Sequence, residues 1–277
     1  MPPETSEHGF EFLRVNERAG KPRSVGLTEI RGPYYTVIGK RALSDVLDLM
    51  APSIDSFKFS AGAFTLFPPE ALRELIELCH AHDVEVSTGG FIERVLVQGP
   101  AAVDAYIRQC ARVGFDILEL SCGFVTIPTD DWLRLVEKVK NAGMKAKPEI
   151  GIQFGAGGAS TEAALEAQGQ RDAGRVIRQG KRLLEAGADI LMIESEGITE
   201  DVAEWRTDVP ALAVEELGLR NVMFEAADPA VFTWYVRNYG PEVNLFVDHS
   251  QIVQLECLRR GIWGTSDTFG RVLTYKG

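Results

Sequence analysis

The chain has 277 residues, 45% of them hydrophobic, and a formal net charge of −11. That much apolar material fills the core of one or two α/β domains, while no run approaches the roughly 20 apolar residues of a membrane span. No basic stretch interrupts the acidic background, which argues against nucleic acid and anionic lipid as partners. Met1 to Glu7 is polar and lacks the apolar centre of a signal peptide. Cys79, Cys110, Cys122 and Cys257 lie far apart, with no CxxC pair. The expectation is a reduced, cytoplasmic protein.

Residues 1–20 read as an N-terminal lead-in, with Phe10-Glu11-Phe12-Leu13 a candidate for docking on the body. The first strand pattern is Gly26 to Gly32, closed by Pro33, and a helix follows from about Lys40 to Met50. Ser56–Ser60 is a second strand, and Pro68-Pro69-Glu70 suits a helix start. Val84–Gly90 is the third, with helices on either side of Gly99-Pro100. Asp116–Gly123 is the fourth, and Thr129-Asp130-Asp131 opens the helix after it. Met144–Gly151 is the fifth, and a long polar connection to about Ser160 precedes a helix reaching Glu185. The sixth strand, Ala188–Gly197, ends in two carboxylates spaced two apart. Asn221–Ala226 and Val243–Asp248 complete the series.

Apolar runs of this length, bounded by glycine, are strands buried on both faces of a parallel sheet. Glycines at 114, 143 and 187 end helices just before the next strand, as left-handed caps. Eight strand–helix units predict a single-domain (β/α)8 TIM barrel over residues 21–277. An open doubly wound sheet is the rival, but no nucleotide fingerprint accompanies it.

In such barrels the chemistry sits at the C-terminal strand ends. The candidates there are Glu29 and Arg31, Lys58, Ser87, Glu119 and Ser121, Lys147 and Glu149, Glu194 and Glu196, Glu225, and Asn244 with Asp248. Residues two apart on a strand share a face, so Glu194 and Glu196 are expected to point the same way, above Met192. Any single charged strand end is equally the first solvated position, and inner layers can hold ion pairs such as Lys147–Glu149 or Lys58–Glu29. Charged ends recurring on six or more strands make the set stronger than its members. Carboxylates in this number, without a His/Cys cluster, suit a hard oxygen-ligated cation such as Mg²⁺. Glu149, Glu194 and Glu225 lead that assignment, with Glu119 and Glu196 as further candidates. Lys58, Lys147 and Arg31 would bind a small anionic substrate or move protons, and Schiff-base chemistry at Lys147 or Lys58 is the competitor.

Weaker signals surround these. Gly155-Ala156-Gly157-Gly158 offers backbone N–H groups to a phosphate, or forms a lid. His249 is a candidate acid or base or substrate contact, and Arg206 and Arg259 are candidate anion contacts.

Lys21-Pro22-Arg23, Phe57-Lys58-Phe59, Ser87-Thr88-Gly89-Gly90, Glu119-Leu120-Ser121, Pro148-Glu149-Ile150-Gly151, Phe224-Glu225-Ala226, Val243-Asn244-Leu245 and Leu255 to Gly261 follow one another in a family order. In that order and spacing, from about residue 20 to 273, the chain resembles the phosphosulfolactate synthase family. The resemblance implies a (β/α)8 barrel, Mg²⁺-dependent addition of sulfite to phosphoenolpyruvate, and a homo-oligomer. It departs from the synthases at Arg31, where they carry an aspartate, at Ile152 in place of a lysine and at Ser195 in place of an arginine. Ala227-Asp228-Pro229 likewise replaces basic residues. Thr28 to Tyr35, Gly151 to Gly158 and Phe246 to Gln251 instead resemble the family's heat-stress-associated branch from plants, which is linked to retained heat tolerance. That leaves three readings: a Mg²⁺-dependent lyase or synthase, a protective protein on the same barrel, and a Schiff-base aldolase.

Overall fold

The structure, a computed structural model, describes residues 10, 12–157, 160–168 and 172–275. Met1 to Glu7, Glu11 and Gly158, which figure in the sequence reading, lie outside the described residues. Eight parallel strands close on themselves in chain order: β1 (Thr28–Arg31), β2 (Ser56–Lys58), β3 (Glu85–Ser87), β4 (Ile117–Ser121), β5 (Lys145–Ile150), β6 (Leu191–Ile193), β7 (Val222–Glu225) and β8 (Leu245–Asp248). β8 pairs with β1 through Glu29↔Phe246 and Arg31↔Asp248, which closes the barrel. The (β/α)8 expectation holds, with strands shorter than the apolar runs suggested.

The helices are α1 (Lys40–Met50), α2 (Pro69–Ala81), α3 (Ile92–Leu96), α4 (Pro100–Val113), α5 (Thr129–Asn141), α6 (Glu162–Ala167), α7 (Ala173–Glu185), α8 (Asp208–Leu217), α9 (Pro229–Tyr239) and α10 (Ile252–Arg259). Their amphipathic spacing explains the layer they form. On α5, Trp132, Leu135, Val136 and Val139 are buried, the i, i+3, i+4, i+7 stripe that faces a sheet. Proline occupies the first turn of α2, α4 and α9, where no N–H is needed. Gly114, at φ 108°, caps α4 with its N–H on Cys110 O.

One large apolar core fills the space between sheet and helices. Inside the barrel the sides differ. Met192, Met223 and Phe246, from β6 to β8, form a small separate apolar cluster. β1, β2, β4 and β5 fill the other half with Glu29, Lys58, Glu119 and Lys147, all buried. The barrel interior is therefore half oil and half ion network, and the network reaches the open rim.

The lead-in departs from expectation. Phe10, Phe12 and Leu13 are exposed rather than docked. The anchors are polar: the Asn16 amide donates to the carbonyls of Arg259 and Val272, and Arg18 pairs with Glu256 and bonds the carbonyl of Gly26. Hydrogen bonds to backbone carbonyls fix this stretch where its aromatic residues do not.

Candidate active site

At the C-terminal ends of the strands a cavity of about 340 Å³ opens. Strand alternation brings side chains from different strands together there. Arg31 ends β1, Lys58 ends β2, Ser121 ends β4, Glu149 lies one from the end of β5, and Glu225 ends β7. Glu194 follows β6 directly, and its carboxylate accepts from the N–H groups of Ser195 and Glu196. Single carboxylate oxygens of Glu149, Glu194 and Glu225 all lie within 4.8 Å of one another.

Three carboxylates this close need something between them. Burial, together with Glu119, pushes Glu149 up to about 8 against the pull of Lys58. Burial and the neighbouring Glu225 and Glu149 push Glu194 well above the usual carboxylate range. Arg31 Nη2 lies 2.5 Å from Glu225 Oε1 and Lys58 Nζ lies 3.6 Å from Glu149 Oε2, while Glu194 has no cation partner among the described residues. The trio is thus an electrostatic deficit, which a proton or a metal ion relieves.

Below it lies an ion network. Lys58 Nζ is 2.8 Å from Glu119 Oε2 and 3.6 Å from Glu149 Oε2. Lys147 Nζ is 3.1 Å from Glu119 Oε2 and also pairs with Glu29, which accepts from Ser56 Oγ at 3.1 Å. Burial alone would lower Lys58, but Glu119 and Glu149 outweigh it and hold the ammonium protonated. Burial would likewise raise Glu119, but Lys58 and Lys147 overcome it and keep it ionised. The pairing crosses the barrel, Lys147 with Glu29 and Lys58 with Glu119, rather than joining Lys147 to Glu149 or Lys58 to Glu29. Glu29 and Lys147 lie beneath the rim cavity and do not line it. Their side chains face a cavity at the opposite mouth instead, so the rim does not bring them to the place where substrate binding and catalysis are expected.

Other candidates are displaced more clearly. Asn244 precedes β8 and lies at the opposite mouth, where its amide group binds Leu27 N, Leu219 O and Val222 O. Arg259, fully buried, donates to Gly26 O, Thr28 Oγ1 and Val243 O. Both are framework, not substrate contacts. Glu196 does not join the metal candidates, because β6 stops at Ile193 and the chain turns through Gly197 at φ 78°. Two-residue alternation ends with the strand, so Glu196 reaches sideways and accepts from Gly157 N and Ser160 N, each at 3.0 Å. The glycine loop is therefore tied to Glu196. Ser87 is buried beside the network without lining the cavity, and His249 Nδ1 sits 3.2 Å from Arg31 O, also outside its lining. Arg206 is engaged by Asp208 at 2.8 Å.

The sequence reading missed Glu93, Glu200 and Ser60, all of which line the cavity. Glu93 lies on α3 and accepts from the N–H groups of Gly123, Phe124 and Val125. Glu200 accepts from Ser195 Oγ at 2.6 Å. Glu93 and Glu200 lie off the strands, so strand periodicity could not find them. Ser60, two residues past Lys58 in the expected second strand, shares its face and was within reach of that signal. A larger cavity of about 760 Å³ opens at the N-terminal mouth. Its charged walls satisfy one another, Lys145 with Glu85 and Asp189 with Lys140, and Lys21 donates to the carbonyls of Ala51, Ile54 and His82. The rim cavity, with its crowded carboxylates, is the better candidate.

Fold and site together define a TIM barrel with an acidic, mixed-charge cavity at the C-terminal strand ends. The described residues form no helix long and apolar enough to cross a membrane. The chain belongs to the (2R)-phospho-3-sulfolactate synthase (ComA) family, whose model matches residues 16–265. It is 37% identical over 258 residues to Protein HEAT-STRESS-ASSOCIATED 32 of Arabidopsis thaliana, covering 90% of each chain. It is 27% identical over 272 residues to the phosphosulfolactate synthase of Methanothermobacter thermautotrophicus, covering 96% of this chain and 99% of that one. Among solved structures, the carboxyl transferase domain of Rhizobium etli pyruvate carboxylase with oxalate superimposes with a TM-score of 0.57 at 12% identity. That match covers 82% of this chain and 40% of the other, and shows the shared fold alone.

Proposed function

We propose that this protein is a metal-assisted lyase or synthase of the phosphosulfolactate synthase type, acting on the enol or enolate of a small carboxylic acid. Sulfite addition to phosphoenolpyruvate is the reaction that the resemblance implies. One observation carries the reading: Glu149, Glu194 and Glu225 converge within 4.8 Å, with Arg31 on Glu225, Lys58 on Glu149 and no cation partner for Glu194 among the described residues. Three hard oxygen donors fit Mg²⁺ or Mn²⁺, and Glu149, Glu194 and Glu225 would hold the ion. Such an ion, when bound, polarises a carbonyl and stabilises an enolate oxygen. Lys58, protonated and facing the cavity, supplies positive charge beside the same place. Phe246 forms the apolar floor under both Lys58 and Arg31. A Schiff base is disfavoured, since Lys58 is held as the ammonium and Lys147 does not line the cavity.

A second reading, a protective protein that has kept the barrel and lost the reaction, is favoured by the 37% identity to a heat-stress-associated relative. Titration with Mn²⁺, with and without a small 2-oxo acid, separates the two. The enzyme reading expects Mn²⁺ uptake that disappears in Glu194→Gln. The protective reading expects heat protection that survives the same substitution. Absence of a divalent-ion site at this rim removes the enzyme reading.

A further inference from the structure

We infer that the acid this site accepts carries no phosphate, its polar recognition coming from a divalent ion and the buried hydroxyl of Ser60. The inference rests on the metal-assisted reading above and narrows its substrate class. A phosphate dianion in a protein cavity is held by free cations or by clustered backbone N–H groups at loop and helix starts. This rim has both features, and the chain's own carboxylates occupy the backbone donors and two of the three cations.

The cations come first. Arg31 pairs with Glu225 and is enclosed by the rings of Tyr34, Tyr35 and Phe246, 5.0 to 5.7 Å from its guanidinium carbon. Lys58 lies between Glu119 and Glu149. The remaining cation lining the cavity, Arg94, is exposed on α3. Against these three stand six glutamates, so carboxyl groups outnumber cations in the lining before any ligand enters.

The backbone donors follow the same pattern. After β4, the N–H groups of Gly123, Phe124 and Val125 form a ready anion cradle, and Glu93 fills it at 3.2, 2.7 and 2.9 Å. After β5, Gly157 N and Ser160 N both bind Glu196. The group left free is a hydroxyl. Ser60 Oγ is buried, lines the cavity and has no hydrogen-bond partner among the described residues, while the Ser121 hydroxyl faces Glu149. Buried donors without partners are costly, and a ligand that accepts from them recovers that cost. Neutral hydroxyls suit a carboxylate or enolate oxygen whose charge is already shared with a metal ion.

The test is water-proton relaxation of protein-bound Mn²⁺, titrated with pyruvate and oxalate in one series and with phosphoenolpyruvate and inorganic phosphate in another. The expected result is displacement of Mn²⁺-bound water by oxalate or pyruvate at a concentration at least about tenfold below that needed for phosphoenolpyruvate. Mn²⁺ uptake with phosphoenolpyruvate or phosphate binding as tightly as the unphosphorylated acids overturns this inference and leaves the enzyme reading standing. A protein that takes up no Mn²⁺ overturns both. Ser60→Ala gives a second arm: tenfold weaker oxalate binding with Mn²⁺ affinity unchanged supports the assignment, and unaltered oxalate binding contradicts it.

Discussion

Arg31 Nη2 lies 2.5 Å from Glu225 Oε1, joining the last residue of β1 to the last residue of β7 across the mouth of the barrel. The pair removes one carboxylate's charge from a cluster of three, leaving Glu149 to the more distant Lys58 and Glu194 without a cation partner among the described residues. The guanidinium thereby sets how negative the rim is, and so how strongly it attracts a cation.

Removing that guanidinium should separate stability from metal affinity. In Arg31→Gln the buried Glu225 loses its partner, which costs about 3 kcal/mol in the metal-free protein. The same loss deepens the negative potential, so Mg²⁺ or Mn²⁺ binding tightens and recovers part of the stability. Guanidinium denaturation with and without 5-fold excess Mg²⁺, about the amount that saturates a tight site, reads both effects.

The pH dependence follows from the direction of the shifts. Glu149 is raised from an ordinary 4.5 to about 8, and Glu194 is raised as well. The folded protein then binds more protons than the unfolded chain between those values. The metal-free protein is most stable below about 4.5 as far as these groups are concerned, and that contribution is lost as pH rises through about 8. The slope is up to about 1.4 kcal/mol per pH unit for each such proton. A bound divalent ion requires the ionised carboxylates, so metal affinity rises over the same interval and the fall in Tm flattens. Tm measured from pH 5 to 9, with and without Mn²⁺, checks both; a metal-free Tm that does not fall above pH 6 contradicts the assignment.

The barrel was legible because short strand-like runs recur eight times with a helix after each, several closed by glycine or proline, and local pattern suffices for that. The rim trio was legible for a related reason: Glu149 and Glu225 lie on strands, and Glu194 follows one directly, so period-two alternation places all three. It failed where a strand ended early or had not begun. Glu196 lies past the end of β6, and Asn244 lies one residue before β8, at the wrong mouth. Ion-pair partners were not legible either. Lys147 and Glu29 are 118 residues apart, and nothing local distinguishes Glu29 from the adjacent Glu149 as the partner. Glu93 and Glu200 lie off the strands, so only the folded chain brings them to the cavity.

Glu194→Gln should improve the metal-free protein and damage the site. Glutamine keeps the oxygen that accepts from Ser195 N and Glu196 N, so the local turn survives. The substitution removes one uncompensated buried charge, and metal-free stability at pH 8 rises by about 1 kcal/mol, the usual trade at a functional site. Divalent-ion affinity falls at least about tenfold, as expected for loss of an ionised ligand. Calorimetric titration and thermal unfolding on the same samples distinguish this from general damage.

The buried pair of Lys147 and Glu29 predicts strong coupling. Lys147→Met leaves Glu29 ionised and without its cation, at a cost of about 3–5 kcal/mol. Glu29→Gln in the same chain removes the stranded charge, and the double variant recovers much of the loss. A double-mutant cycle by denaturant unfolding should therefore give a coupling energy of about 2 kcal/mol or more. Additive single-variant effects would show that the two residues do not act as a pair.

Arg259 and Asn244 offer the matching control at the other end of the barrel. Arg259 ties α10 to the starts of β1 and β8 through the carbonyls of Gly26 and Val243 and the hydroxyl of Thr28. A lysine cannot reproduce that fork, so Arg259→Lys costs about 2 kcal/mol and Arg259→Ala more, each leaving buried carbonyls without donors. Asn244→Ala strands Leu27 N and costs about 1–3 kcal/mol for the same reason. Neither side chain reaches the rim cavity, so Mn²⁺ affinity per folded molecule stays at the parent value in all three variants. A tenfold loss of Mn²⁺ binding in well-folded Arg259→Lys would return that arginine to the site.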